Sequence, residues 1–243
     1  MKSKIPFVGL HAHSVAGSPF DALGYPQDHM DYAYENGCEA LALTDHGNMN
    51  GLAYQVLHAK KMKEQGKNFK PIFGVEAYFI PSLDVWNEER DRAKTDKKRA
   101  SELKDSTTMS VENEGETKRS KSILNQRSHL ILLAQNQTGL NNIFAMISKS
   151  NSDKYFFRYP RVDYEVLREH SEGVIAASAC MGGVYAANFW KFWDNENECI
   201  TDQGGCEDAF RETTKKMVDI FGDRWYGELQ WHTDKKQHMI NKL

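Results

Sequence analysis

The four cysteines, Cys38, Cys180, Cys199 and Cys206, form no Cys-x-x-Cys pair, which removes the commonest thiol-based metal and redox motifs. No signal-like apolar stretch precedes them, so reduced thiols and a cytoplasmic protein are expected. No segment approaches the roughly 18 apolar residues of a membrane span, and no membrane partner is expected. An excess of positive charge is missing as well: the formal net charge is -3. That gives no support for broad, non-specific affinity for nucleic acid and leaves room for a local basic groove. There is no internal repeat.

What is present is enough for a core. The 243 residues are 40% hydrophobic and 11% aromatic, which argues for an ordered domain. Apolar runs alternate with helical patterns. Ile5–Leu10, "EALALTDHG", "KPIFGVEAYFI", "HLILLAQN", "GVIAASACMGG" and "RWYGELQWH" read as strands. Between them, "PQDHMDYAYENG", "GLAYQVLHAKKMKEQG", "TGLNNIFAMISKS" and "CEDAFRETTKKMVDIFG" read as helices with proline or glycine at their ends. The alternation predicts an α/β fold with a parallel sheet or a barrel. One domain over 1–243 is expected, interrupted at 82–122. That charged stretch holds too little apolar area to offset its ordering entropy and reads as a mobile surface insertion.

Parallel α/β folds carry their chemistry at the carboxyl ends of the strands. Gathered there are His11, His13 and Asp21, then Asp45 and His46, Glu76, Cys180, and finally Glu228, Gln230 and His232. His11 and His13 are two residues apart, which on a strand places both rings on one face. Glu76 stands inside an apolar strand, where a carboxylate is costly unless paired or bound to a cation. His129 opens its strand instead of closing it, and a folded-over loop is needed to bring it in. The mixture of imidazole, carboxylate and thiol suits zinc, manganese or iron more than calcium or magnesium. Carboxylates can bridge, so more than one ion is expected, as in sites that hydrolyse phosphate esters. The aromatic "NFWKFWD" reads as helix core, and the remaining histidines and cysteines carry no assignment.

The succession of HxH, "ALALTDHGNMNG", "KPIFGVEAY", "RSHLILLAQNQTGLNNI" and "ASACMGG" resembles the polymerase-and-histidinol-phosphatase (PHP) domain that opens the alpha subunit of bacterial DNA polymerase III. The likeness runs from about residue 5 to 240. It implies a distorted (β/α)7 barrel with one to three clustered ions: zinc or manganese, with iron or magnesium as alternatives. Carried over by motif, His11, His13 and Glu76 hold one ion; Glu76, His129 and Cys180 a second; Asp21 and His46 a third. Glu76, His11 and His13 are then the catalytic group. The family's closing Asp-x-His occurs nowhere in the chain, so the barrel is expected to be incomplete at its C-terminal end. His232 is a possible substitute or substrate contact.

Three functions follow from the resemblance. One is metal-dependent 3′–5′ exonuclease hydrolysis of a single-stranded DNA 3′ end within DNA replication. Another is a non-catalytic, metal-braced scaffold that docks on the remainder of the polymerase and replisome subunits. The third, a stand-alone small-molecule phosphatase, fits the motif wording less well. The polymerase active site itself is not in this sequence.

Overall fold

The computed structural model describes residues 7–106, 126–231 and 233–243. Along the chain run α1 (Pro26–Glu35), β1 (Ala40–Leu43), α2 (Leu52–Glu64), β2 (Lys70–Phe79), α3 (Leu83–Ser106), β3 (Ser128–Ala134) and α4 (Gln137–Ser150). The short β4 (Phe156–Phe157) and β5 (Tyr159–Pro160) lead to α5 (Tyr164–Glu169), β6 (Val174–Ala177) and α6 (Val184–Phe192). A second small hairpin, β7 (Trp193–Asp194) and β8 (Cys199–Ile200), precedes α7 (Gln203–Phe221), β9 (Trp225–Tyr226) and α8 (Lys235–Ile240). α1 starts on a proline, whose fixed φ suits the first helical turn, and Gly37 leaves it at φ +88°. Side-chain caps start α4, α5 and α7, where Asn136, Asp163 and Asp202 accept the N–H of Gly139, Val166 and Gly205.

The sheet order is β1-β2-β3-β6-β9. β2 is its spine: Lys70–Phe73 pair in parallel with β1, and Gly74–Phe79 pair with β3. β3 runs antiparallel to both neighbours, so β1, β2, β6 and β9 share one direction and β3 opposes them. The sheet is therefore mixed, not wholly parallel, and among the described residues it does not close into a barrel. Alternation of strand and helix reports which elements exist but not which way each strand runs. The outer strands are also shorter than the sequence predicts. From the first, only Gly9 makes a bridge, to Leu41; from the last, only Trp225 and Tyr226 pair.

The main core lies between the sheet and α4, α5 and α7, with Val75, Leu130, Leu132, Ile143, Leu167, Val174, Met217 and Phe221 buried. Burial of each such side chain contributes about 1.5–3 kcal/mol. The charged segment begins differently from expectation. α3 starts in that same core, with Leu83 and Trp86 buried one turn apart, and the Leu83 N–H donates to the Asp163 carboxylate. Two apolar residues at helical spacing anchor a segment whose average composition conceals them. Of the expected insertion, 107–122 lies outside the described residues.

Candidate metal centre

The reversed β3 explains His129. Because β3 opposes its neighbours, its beginning lies at the same end of the sheet as the ends of β1, β2 and β6. Tyr78 pairs with His129 and Glu76 with Ile131, which puts Glu76 and His129 diagonally on one face. Beyond β1, His46 bridges to Glu76: the Glu76 N–H donates to the Asp45 carbonyl and the Gly47 N–H to the Glu76 carbonyl. Gly47 sits at φ +67°, and a Cβ there would lie 2.8 Å from the Pro160 ring, so glycine is required twice over. His11 and His13 are not on a regular strand. Ala12 nevertheless bonds Thr44 through its carbonyl, and both rings turn inward, centroids 5.2 Å apart.

These elements converge on Glu76, which is completely buried. Its Oε1 lies 2.8 Å from His129 Nδ1 and 3.4 Å from His11 Nε2. Its Oε2 lies 2.7 Å from His46 Nδ1 and 3.3 Å from His13 Nε2. Across His46, the Nε2 meets Asp21 Oδ2 at 2.7 Å. Three groups result in which ligand atoms all lie within 4.8 Å of one another: His11–His13–Glu76, His13–Asp21–His46 and His46–Glu76–His129. Cys180 is adjacent, its Sγ 3.5 Å from His129 Nδ1 and 3.8 Å from Glu76 Oε1. The preceding Ala179 takes φ +59°, a left-handed geometry that non-glycine residues seldom adopt. His232 lies outside the described residues.

Charge alone does not stabilise this arrangement. Burial works to lower the His11 pKa, but the Glu228 and Glu76 carboxylates beside it push it up to about 9. Burial would raise Glu76, yet the His11, His129 and His46 imidazoles beside it hold it well below the carboxylate range. His13 is lowered, by burial first and then by the neighbouring His46 and His11 charges. Burial and the Glu76 charge push the Cys180 thiol up to about 11. One buried carboxylate thus serves four imidazoles.

Several buried atoms are left without hydrogen bonds among the described residues: Glu76 Oε2, His46 Nδ1 and His13 Nδ1. An orphaned carboxylate oxygen facing imidazole nitrogens is what a cation would satisfy. His11 is pre-set for the same role. Its Nδ1 lies 2.8 Å from Glu228 Oε1, a contact that in the neutral ring puts the proton on Nδ1 and frees Nε2, on the Glu76 side, for a metal. The donor set fits a divalent ion.

Sequence reasoning gathered Asp45, Glu228 and Gln230 at the strand ends without a role for each, and it passed over Ser14 and Ser18. Glu228 orients His11 and is itself held by the Gln230 amide at 2.7 Å, with its N–H on Ser178 Oγ at 2.8 Å. The Glu228-x-Gln230 alternation was the available signal. Asp45 is buried and accepts the Ser14 N–H, the Ser14 hydroxyl and the Ser18 hydroxyl, while Ser18 Oγ accepts the His46 N–H. This bracket ties the histidine loop to the end of β1. Small serines carry no periodicity that would announce it.

Residues 9–232 match the family model described as PHP domain. DNA polymerase III subunit alpha of Borreliella burgdorferi is 30% identical over 246 residues, covering 100% of this chain and 17% of that protein. The same subunit of Thermus aquaticus is 31% identical over 245 residues, 100% of this chain and 16% of the relative. That of Treponema pallidum is 33% identical over 232 residues, 95% and 15%. The chain spans 15–17% of the length of these relatives.

Proposed function

From the premise that the chain belongs to the PHP domain family, we propose that it is the metal-binding module of a replicative DNA polymerase III alpha subunit and hydrolyses phosphodiesters at the 3′ end of single-stranded DNA. The observation that carries this reading is Glu76: a fully buried carboxylate ringed by His11, His13, His46 and His129, with one oxygen lacking a hydrogen bond. His11, His13, Asp21, His46, Glu76 and His129 would hold one to three divalent ions, zinc or manganese by donor type, with Cys180 beside them. When bound, such ions supply an activated water and charge stabilisation on the phosphoryl oxygens. The chain's own residues do the rest. Glu76 joins the groups, Glu228 fixes the His11 tautomer, and the Asp45–Ser14–Ser18 bracket keeps the histidine loop against β1.

The sheet, with Gly9 added beside β1, is read as an arc of the distorted β/α barrel that the family implies. The partners are then the rest of the polymerase and the replisome. The test is release of nucleotides from a single-stranded oligonucleotide in manganese or zinc. The expected result is metal-dependent 3′ release that falls by at least about a hundredfold in Glu76→Gln and His11→Ala. Equal release by the wild type and both variants would overturn the hydrolytic reading.

A further inference from the structure

Beside the candidate metal centre lies a surface to which the hydrolytic reading gives no part. Asp21 reaches His46, and the residue before it, Phe20, is fully exposed. The turn that displays this ring is pinned. The Asp21 and Ala22 N–H groups donate to the Ser18 carbonyl, and the Ser18 hydroxyl donates to Asp45. The starts of α1 and α2 abut the same bracket: a Cβ on Gly51 would lie 3.1 Å from Pro26 and 3.2 Å from both Asp45 and Ser14. Tyr25 and Tyr54 meet there, ring centroids 6.0 Å apart, each about half exposed. The exposed Leu57 follows Tyr54 by one turn of α2 and Lys61 follows by two, so the three share a face.

Solvent-facing rings next to cations are the two parts of a surface that binds single-stranded nucleic acid. Lys60, Lys61 and Lys63 are exposed, and none enters an ion pair among the described residues. Two acids of the neighbouring α1 are already engaged. Asp31 meets His58 at 3.0 Å and Lys67 at 3.9 Å, and Asp28 accepts the Tyr25 N–H. On a chain of net charge -3, this local excess of free ammonium groups is complementary to a polyanion. Lysine is depleted at the core of protein interfaces, which favours a nucleic acid over a protein partner.

We infer that single-stranded DNA whose 3′ end enters the metal centre runs back over this surface, its bases stacked on Phe20 and the Tyr25–Tyr54 pair and its phosphates met by Lys60 and Lys61. This rests on the hydrolytic reading for where the 3′ end lies, but the surface itself is a matter of binding. From Tyr54 to Lys61 the helix rises about 10 Å, so the lysines serve chains of several nucleotides and not the shortest ones.

The test is fluorescence anisotropy of a labelled oligothymidylate with a hydrolysis-resistant 3′ end, in manganese, at several salt concentrations. Phe20→Ala and Tyr54→Ala are each expected to weaken binding about tenfold at an unchanged salt slope. The double variant Lys60→Gln, Lys61→Gln should make the slope shallower by about 1.4, about 0.7 for each charge. Its loss of affinity should be smaller for a trinucleotide than for a long chain. Wild-type affinity in both aromatic variants with an unchanged slope in the lysine variant would overturn the inference and leave this face to a protein partner. No binding by the wild-type chain would overturn it as well. Should Tyr54→Ala melt below the assay temperature, Phe20→Ala decides, because that ring is fully exposed: weaker binding at an unchanged slope supports stacking, and unchanged affinity overturns it. Binding that responds to these variants without any hydrolysis would count against the hydrolytic reading alone.

Discussion

Glu228 acts on the metal centre through His11, and that gives it a measurable signature. It belongs to none of the three candidate ligand groups, yet its hydrogen bond decides which nitrogen of the neutral His11 ring carries the proton. Glu228→Gln can rotate its amide to donate instead of accept, which would protonate the wrong nitrogen. Replacing partners of this kind costs about 10–100-fold in metal affinity. Titration of the metal-free chain with zinc by calorimetry should show that loss in Glu228→Gln, with the number of bound ions unchanged. Glu76→Gln should instead reduce the number of ions, because all four of its imidazole neighbours share its groups. At this scale the sequence was informative. Histidines and a carboxylate at strand ends announce themselves by residue type, as His11, His13, His46 and Glu76 did. Ser14 and Ser18 are ordinary surface residue types, and only their position in space gives them a part.

Asp163 and Arg161 hold several elements by single side chains. One Asp163 oxygen accepts the Val166 N–H at the start of α5 and the other accepts the Leu83 N–H at the start of α3. Asp163→Ala removes both acceptors from buried N–H groups and should destabilise the fold by about 2–3 kcal/mol, read from urea denaturation. Arg161 is almost fully buried, stacked on Trp86 with its guanidinium 4.6 Å from the ring, and burial lowers its pKa to about 10. Arg161→Met retains bulk but leaves the Phe157 and Tyr159 carbonyls without that donor. A loss of about 3 kcal/mol is expected, together with faster hydrogen exchange in the β4–β5 hairpin. None of this was legible beforehand. Strands of two residues have no period to detect, and "FFRYPRVD" gives no hint that its second arginine points inward. Helices were readable because ten or more residues repeat the same pattern, and the first turn of α3 was hidden only by the charge of the turns after it.

Across the whole molecule, the two outermost segments of the sheet meet at one contact. His11 follows the Gly9 bridge beside β1, Glu228 follows β9, and their side chains hydrogen-bond at 2.8 Å although 217 residues separate them. The sheet is therefore curved strongly enough to bring its ends together at the candidate metal centre, without a backbone ladder between them among the described residues. The order of the elements was legible beforehand but the direction of β3 was not, and that direction is what carries His129 to Glu76. A cation shared by the loop after Gly9, the end of β1, β2 and β3 would join, through Glu228, segments that otherwise have little common packing. Metal at a hundred times its dissociation constant stabilises by about 2.7 kcal/mol, which for a chain of this size raises Tm by about 5–10 °C. Chelator should reverse that rise in the wild type and have a smaller effect on Glu76→Gln. Hydrogen exchange should slow on adding zinc in residues 9–18 and 225–231 together, although they lie at opposite edges of the sheet. Protection confined to residues 9–18 would mean that the His11–Glu228 contact does not transmit the metal's effect across the gap.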